Sequence, residues 1–95
     1  MARIRSALVE NLYFCAECGS NNTAVHHVFY GTANRRLAQE DGYIIGLCPR
    51  HHNMSDEGIH FNPQLDIKWK RYAQHHFERT HSREEFIARY GKSWL

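Results

Sequence analysis

The sequence predicts a small α+β domain that is held together by zinc, and three observations lead to this fold class. The chain has only 95 residues, and chains this short bury a modest core and often need a metal or a disulfide for stability. Two residue pairs, Cys15 with Cys18 and Cys48 with His51, have the spacing of a closed tetrahedral zinc site. Short apolar segments of strand character come first, and two amphipathic helical patterns follow them.

Length and composition predict one folded domain over residues 1–95, with a motif core at 15–60 and a helical part at 64–95. A content of 42% hydrophobic and 23% charged residues argues against disorder. No apolar run approaches the ~20 residues of a membrane span, so no membrane partner is expected. Residues 1–6 lack the apolar core of a secretory signal, which predicts a reducing compartment where thiols are free to bind metal.

The first half of the chain predicts short elements. Residues 4–14 are ambiguous, with a helical pattern first and an extended one after it. Thr23–Tyr30 is rich in β-branched and aromatic residues and predicts a strand. Residues 34–41 predict one or two helical turns, and residues 43–47 predict a short apolar strand that leads into Cys48.

The second half predicts three helices. Pro49 suits the first turn of a helix that carries His51 and His52. Residues 64–80 have apolar positions at steps of three and four, which predicts a helix with one buried face. Ser82 and Glu85 have the spacing of a capping box and open a last helix that ends at Gly91. The side chains predicted to be buried in these two long helices are Leu65, Trp69, Tyr72, Ala73, His76, Phe77, Phe86 and Tyr90.

Cys15, Cys18, Cys48 and His51 are the predicted ligands of a structural zinc ion, because zinc prefers thiolate and imidazole ligands at tetrahedral corners. A redox Cys-x-x-Cys pair is the rival interpretation, and it needs a βαβ context that the pattern lacks. Ordinary core thiols are the third possibility. A small rotation of the helix would let His52 replace His51 as the fourth ligand.

Four further histidines remain: His26, His27, His52 and His60. His26 and His27 are neighbours on the predicted strand, so their side chains start on opposite faces. His52 lies about 100° around its helix from His51, so it can face the strand instead of the zinc. Any one of these histidines, taken alone, would most often simply be exposed to solvent. Their order around the cysteine pairs nevertheless predicts a second metal site.

The order Cys15-x2-Cys18, His26-His27, Cys48-x2-His51-His52 and Gly58-Ile59-His60 resembles an HNH (ββα-metal) endonuclease with a zinc-ribbon scaffold. Within that superfamily it is similar to the short HNH proteins of bacteriophages and prophages. The stretch from His26 to Arg36 and the C-terminal stretch from Phe86 to Ser93 resemble those proteins as well.

The resemblance implies a role for each histidine. His27 corresponds to the general base, and His26, His52 and His60 correspond to ligands of a catalytic divalent metal. The middle asparagine of the superfamily normally precedes the second strand, where this chain has Gly42-Tyr43. The nearest asparagine is Asn34, which is the candidate for orienting the site. A helix N-cap is the alternative role for Asn34.

Hydrolysis of a phosphodiester is the chemistry that these residues suit. A neutral imidazole can take a proton from water near neutral pH, and a divalent ion on histidines can be Mg2+, Mn2+, Ni2+ or Zn2+. Arg35 or Arg36 could bind the phosphate backbone, which predicts weak sequence preference. The second basic group, Lys68, Lys70 and Arg71, is interpreted as a solvated face.

The sequence-based hypothesis is therefore a metal-dependent DNA endonuclease or nickase, encoded by a phage or prophage and acting in the cytoplasm of a bacterial host. DNA is the expected partner, together with a second copy of the chain or other phage proteins. One alternative is a zinc-ribbon module that binds DNA without cleaving it. Another is an accessory subunit that contacts proteins through the helix at 64–80.

Overall fold

The computed structural model describes residues 5–95, and over these residues it has an α+β fold with a two-stranded antiparallel sheet and four helices. This confirms the predicted α+β class. The elements in chain order are β1 (Ala24–His27), α1 (Thr32–Asp41), β2 (Ile44–Leu47), α2 (Pro49–His52), α3 (Pro63–Phe77) and α4 (Arg83–Tyr90).

The strand β2 is the centre of the fold, and all four of its residues are buried. One edge pairs with β1, where His26 lies opposite Ile45. The other edge is covered by the N-terminal segment, whose Ala16 N–H donates to the Gly46 carbonyl at 2.8 Å. A Cβ on Gly46 would lie 2.5 Å from the backbone oxygen of Leu12, so only glycine allows this approach. The covering segment thereby reaches Cys15 beside the end of β2.

The helix predicted at the start of residues 4–14 is wrong for the residues from 5 onward. Ile4 lies outside the residues that the structure describes. Residues 5–14 have neither helix nor strand. Their polar groups bond instead to β2 and its flanks, as Ser6 Oγ does with the Ile44 carbonyl at 2.6 Å. Long-range pairing has overridden a weak local pattern here, which is common for short segments.

The other boundaries differ from the prediction by a few residues. The first strand ends at His27 rather than Tyr30, since the chain bends at Val28 and Phe29 to bury both side chains. The first helix begins at Thr32, before the predicted Asn34, with Gly31 at its N-cap. The helix at residues 49–52 and the strand at 44–47 lie where the sequence predicts them.

The buried face of α3 is rotated from the predicted one. Leu65, Ala73 and Phe77 are buried as expected, but Tyr72 is 53% exposed. Two polar residues, Lys70 and Gln74, are buried in its place. A pattern of apolar residues could not reveal this, because polar side chains become buried when other parts of the chain supply their partners.

The helix α4 closes an aromatic core. Ser82 and Glu85 form the predicted capping box, and Gly91 ends the helix in the left-handed conformation. The ring of Phe29 packs 4.4 Å from Tyr90 and 5.5 Å from Phe86, measured between centroids. These contacts fix α4 against the turn that follows β1. Among the described residues, no helix has the length and apolar character that crossing a membrane requires.

Candidate metal centres

The first candidate metal site combines a turn in the N-terminal segment with the start of α2. The chain reverses at the first cysteine pair, where the Gly19 N–H donates to the Cys15 carbonyl at 2.8 Å. Cys48 is the N-cap residue of α2, so the helix presents His51 one turn later on the same side. Ligands from two distant segments therefore meet at the end of β2.

The distances in this cluster are compatible with a tetrahedral zinc site. His51 Nδ1 lies 3.6 Å from Cys15 Sγ and 3.4 Å from Cys48 Sγ. The sulfurs of Cys18 and Cys48 are 3.6 Å apart. A tetrahedron with Zn–S bonds of about 2.3 Å separates two sulfurs by roughly 3.8 Å. The four residues lie close enough to bind a metal such as zinc, with His51 rather than His52 as the fourth ligand.

The surroundings of Cys15 favour the charged thiolate of that residue. Burial raises the pKa of the Cys15 thiol, but hydrogen bonds from the backbone around Cys48 and Glu17 outweigh it and lower the pKa to about 6. Glu17 is itself held by Lys68 Nζ at 2.6 Å and by Trp69 Nε1 at 2.7 Å. These two bonds connect the first cysteine pair to α3.

The second candidate site is a cluster of three histidines, His26, His52 and His60, whose ligand nitrogens lie within 4.8 Å of one another. The ring of His26 is 5.4 Å from the ring of His52 and 5.2 Å from that of His60, between centroids. The rings of His52 and His60 are 4.9 Å apart. Nitrogens at this separation are near the range that a single ion could bridge with bonds of about 2.0–2.1 Å.

His26 carries the strongest indication of a metal. Its ring is 3% exposed, and its Nε2 atom has no hydrogen-bond partner among residues 5–95. A buried polar atom without a partner is costly, and it commonly marks a site that a ligand or ion completes. Burial, assisted by charge repulsion from His52 and His60, lowers the pKa of His26 to about 3. The ring is therefore neutral at physiological pH, which is the form that binds metal.

The turn after α2 brings His60 back to His52. Its return is fixed by two backbone bonds, from the Ile59 N–H to the His51 carbonyl at 2.7 Å and from the His60 N–H to the His52 carbonyl at 3.3 Å. Gly58 makes the approach possible, because a Cβ there would lie 2.8 Å from the His52 oxygen. Two histidines eight residues apart thus face the same point.

A cavity of about 240 Å3 opens over the three histidines, and His27 and Arg35 also line it. His27 therefore reaches the same space as His26, although the two residues are neighbours on β1. Its Nε2 atom lies 2.7 Å from Oε1 of Gln39 on α1. The cavity thus combines three histidines that could hold a metal ion, a further imidazole and a guanidinium.

Two residues that the sequence placed in this site lie elsewhere. Asn34 is inside α1, where its side-chain amide donates to the Tyr90 carbonyl at 3.2 Å, so the proposed N-cap role is wrong. Neither Asn34 nor Arg36 is among the residues that line the cavity. Arg36 is 3.8 Å from Glu40 on an exposed part of the same helix.

Two residues in the neighbourhood were missed by the sequence analysis. Gln39 contacts His27, and the signal that could have found it is its spacing of four residues from Arg35 on a helix. Tyr30 lines the cavity, with its ring 5.9 Å from the ring of His60. Its hydroxyl donates to Asp66 on α3 at 3.2 Å, a contact that no local pattern indicates.

The basic group on α3 has internal partners. Lys70 is nearly buried and pairs with Asp66 at 2.8 Å. Lys68 pairs with Glu17, and Arg71 Nε donates to the Trp94 carbonyl at 2.8 Å. These three basic residues therefore have partners within the chain. Of the two arginines predicted to bind phosphate, Arg35 is the one that lines the histidine cavity.

Larger cavities occur elsewhere in the described residues. One of about 500 Å3 contains His76, His81 and Arg89, and one of about 780 Å3 lies along residues 5–13. In the first, the Arg89 guanidinium is already bound by Asp41 at 2.7 Å. Neither contains a cluster of three potential ligands that converge as the two candidate sites do.

Comparison of the chain with models of protein families, with curated proteins and with solved structures finds no match. The functional argument therefore rests on the geometry of the two sites.

Proposed function

We propose that the protein is a metal-dependent endonuclease of the HNH type that hydrolyses phosphodiester bonds in DNA. The observation that carries this proposal is the cavity in which His26, His52 and His60 converge beside His27 and Arg35. A purely structural zinc domain needs only the cysteine cluster. The second group of imidazoles, one of them buried without a partner, calls for a different role.

The residues of the cavity suit the three requirements of phosphodiester hydrolysis. In this proposal His27 accepts a proton from the attacking water, since a neutral imidazole is an effective base near neutral pH. Arg35, which lines the cavity, would bind the phosphate through charge-assisted hydrogen bonds. His26, His52 and His60 would hold a divalent cation, which when bound neutralises charge on the phosphate and on the departing oxygen.

The proposed substrate contact is to the phosphate backbone rather than to the bases. Guanidinium contacts to phosphate carry no sequence information and weaken as salt rises. We therefore propose weak sequence preference, with Mg2+, Mn2+, Ni2+ or Zn2+ able to occupy the histidine site. One such site per chain cuts one strand at a time, so a double-strand break would take two chains or two events.

Nicking of supercoiled plasmid in the presence of each divalent metal tests the proposal. We expect His27→Ala to lower nicking by a factor of about 100 or more, because a general base contributes roughly 10²–10⁴ in rate. The control is His75→Ala, which removes an exposed histidine on α3. Zinc content and the thermal unfolding curve should be the same in both variants.

Two results would count against the proposal. Full nicking by His27→Ala would remove His27 as the base. A wild-type protein that binds DNA but cuts it with none of the metals would favour the alternative, a zinc-ribbon module that only binds.

A further inference from the structure

Tyr30 presents an aromatic ring at the edge of the histidine cavity. The residue lies between β1 and α1, is 46% exposed and lines the cavity. Its ring is 5.9 Å from the ring of His60 and 6.2 Å from that of His26, measured between centroids. A molecule that enters the cavity and reaches the histidines therefore also meets this ring.

The ring of Tyr30 is held in place by an ion pair on α3. The Tyr30 hydroxyl donates to Asp66 Oδ2 at 3.2 Å, and the same oxygen accepts from Lys70 Nζ at 2.8 Å. The ammonium group of Lys70, a residue that is 8% exposed, also lies 4.2 Å from the centre of the Tyr30 ring. A cation at this distance is attracted to the face of the ring. The hydroxyl and one face of Tyr30 are thus bound by α3, and the exposed part of the residue borders the cavity.

This position distinguishes Tyr30 from two other exposed tyrosines. Tyr13 and Tyr72 are 77% and 53% exposed, but neither lines the histidine cavity. A ring that is already fixed at its hydroxyl and at one face loses little conformational freedom when a ligand packs against it. Because Asp66 binds the hydroxyl, the part of Tyr30 that a ligand meets is the apolar ring.

The planar group that the proposed substrate brings to this place is a nucleobase. A single sugar separates the base of a nucleotide from its phosphate, and the proposed phosphate-binding residue Arg35 borders the same cavity as Tyr30. Any base can stack on an aromatic ring, because every base has a π-face. Neighbouring bases cover both faces of a base inside a duplex, so only an unpaired or flipped base can reach the ring.

We propose that Tyr30 is a substrate-binding residue whose ring stacks on an unpaired nucleobase beside the bound phosphate, so that the site takes a DNA strand that is unpaired at this position. This inference rests on the proposed nuclease function and deepens it by naming the substrate class. Weak sequence preference still follows, since stacking and phosphate contacts accept any base. Supercoiled plasmid remains a suitable substrate, because negative supercoiling favours local opening of the duplex.

The test measures whether the ring of Tyr30 and the bases of the strand interact. Fluorescence anisotropy gives the affinity for labelled oligothymidylate and for an abasic oligomer of the same length, which keeps only the sugars and phosphates. The parent protein is zinc-loaded His27→Ala, in which the oligomer should stay intact. Tyr30→Leu, Tyr30→Phe and Tyr72→Leu are each added to the parent, and Tyr72→Leu is the matched control because it removes an exposed tyrosine outside the cavity.

We expect the parent to bind oligothymidylate roughly 5- to 100-fold more tightly than the abasic oligomer, the range that stacking of one base on an aromatic ring supplies. Tyr30→Leu should lose most of this ratio by weakening the binding of oligothymidylate alone. Tyr30→Phe, which keeps the ring, and Tyr72→Leu should retain the ratio. The affinity for a fully paired duplex of thymidylate with adenylate should be the same in the parent and in Tyr30→Leu.

A second measurement tests the contact directly on the parent protein. In the complex with oligothymidylate, nuclear Overhauser effects should connect the ring protons of Tyr30 with the methyl group of a thymine. This measurement needs no variant of Tyr30, so it decides the inference even if Tyr30→Leu does not fold.

A parent that binds the two oligomers equally, or binds neither, would overturn the inference, as would the absence of a contact between Tyr30 and thymine. A ratio that Tyr30→Leu leaves unchanged would show that the ring only anchors α3, and an equal loss of duplex binding would refute the unpaired strand. The plasmid assay judges the proposed function separately. Stacking without nicking would refute the nuclease and keep the Tyr30 contact, and nicking without stacking would do the reverse.

Discussion

At the scale of single residues, the direction of a side chain decides whether it belongs to the site. Arg35 and Arg36 are adjacent and chemically identical, yet only Arg35 lines the histidine cavity. Arg36 lies on the exposed side with Glu40, in a surface pair worth about 0–1 kcal/mol at most. From the sequence both arginines are predicted to bind phosphate, because the sequence does not determine which way each side chain faces.

This difference makes the two arginines a matched pair for an experiment. Arg35→Met should weaken DNA binding and lower the slope of log K against log salt by about one, as expected for the loss of one phosphate contact. Arg36→Met should leave both the affinity and the slope nearly unchanged. Fluorescence anisotropy with labelled DNA at several salt concentrations measures both quantities. Equal losses of DNA affinity in the two variants would show that Arg35 makes no phosphate contact that Arg36 lacks.

At the scale of elements, the short helix α2 and the turn after it serve both candidate sites. His51 belongs to the cysteine cluster and His52 to the histidine cluster. This division follows from the rotation of about 100° per residue in a helix, and the sequence predicted it. The return of His60 depends on a tight turn, and the local sequence indicates only that a glycine is there.

Gly58 is the residue in that turn whose replacement should separate the two sites. A Cβ in Gly58→Ala would lie 2.8 Å from the His52 oxygen and 3.0 Å from the Ser55 oxygen, so the backbone must move. We expect a loss of about 1–3 kcal/mol in stability from the forced shift. We also expect a loss of roughly tenfold or more in affinity at the histidine site, with the zinc of the cysteine site retained.

Calorimetric metal titration and thermal unfolding measure these two effects, with Asp56→Ala, an exposed position in the same turn, as the control. Gly58→Ala that binds the second metal as tightly as the wild type would contradict the proposed role of the turn.

At the scale of the whole molecule, the local signals in the sequence predicted most of the elements and the composition of both clusters. Metal-ligand spacing, capping residues and helical periodicity act over a few residues, and these features were correctly placed. Contacts between distant segments were not predicted. The N-terminal segment packs along β2 instead of forming a helix, Lys70 is buried with its ammonium group 4.2 Å from the centre of the Tyr30 ring, and Gln39 rather than Asn34 approaches His27. Each depends on a partner far away in the chain.

The two candidate sites are built from different segments of the chain. The cysteine cluster joins the N-terminal segment, the end of β2 and α2, so its metal should stabilise the fold. The histidine cluster borders a cavity, so its metal should exchange more easily. We propose that this small chain holds two metal ions in two separate sites.

Native mass spectrometry of the protein during a Zn2+ titration tests that claim most directly. We expect two ions per chain for the wild type. The ion at the cysteine cluster should be retained on dilution, and the ion at the histidine cluster should be lost more readily. His60→Ala should bind only the first. A wild type that never binds more than one ion, or a His60→Ala variant that still binds two, would contradict the claim.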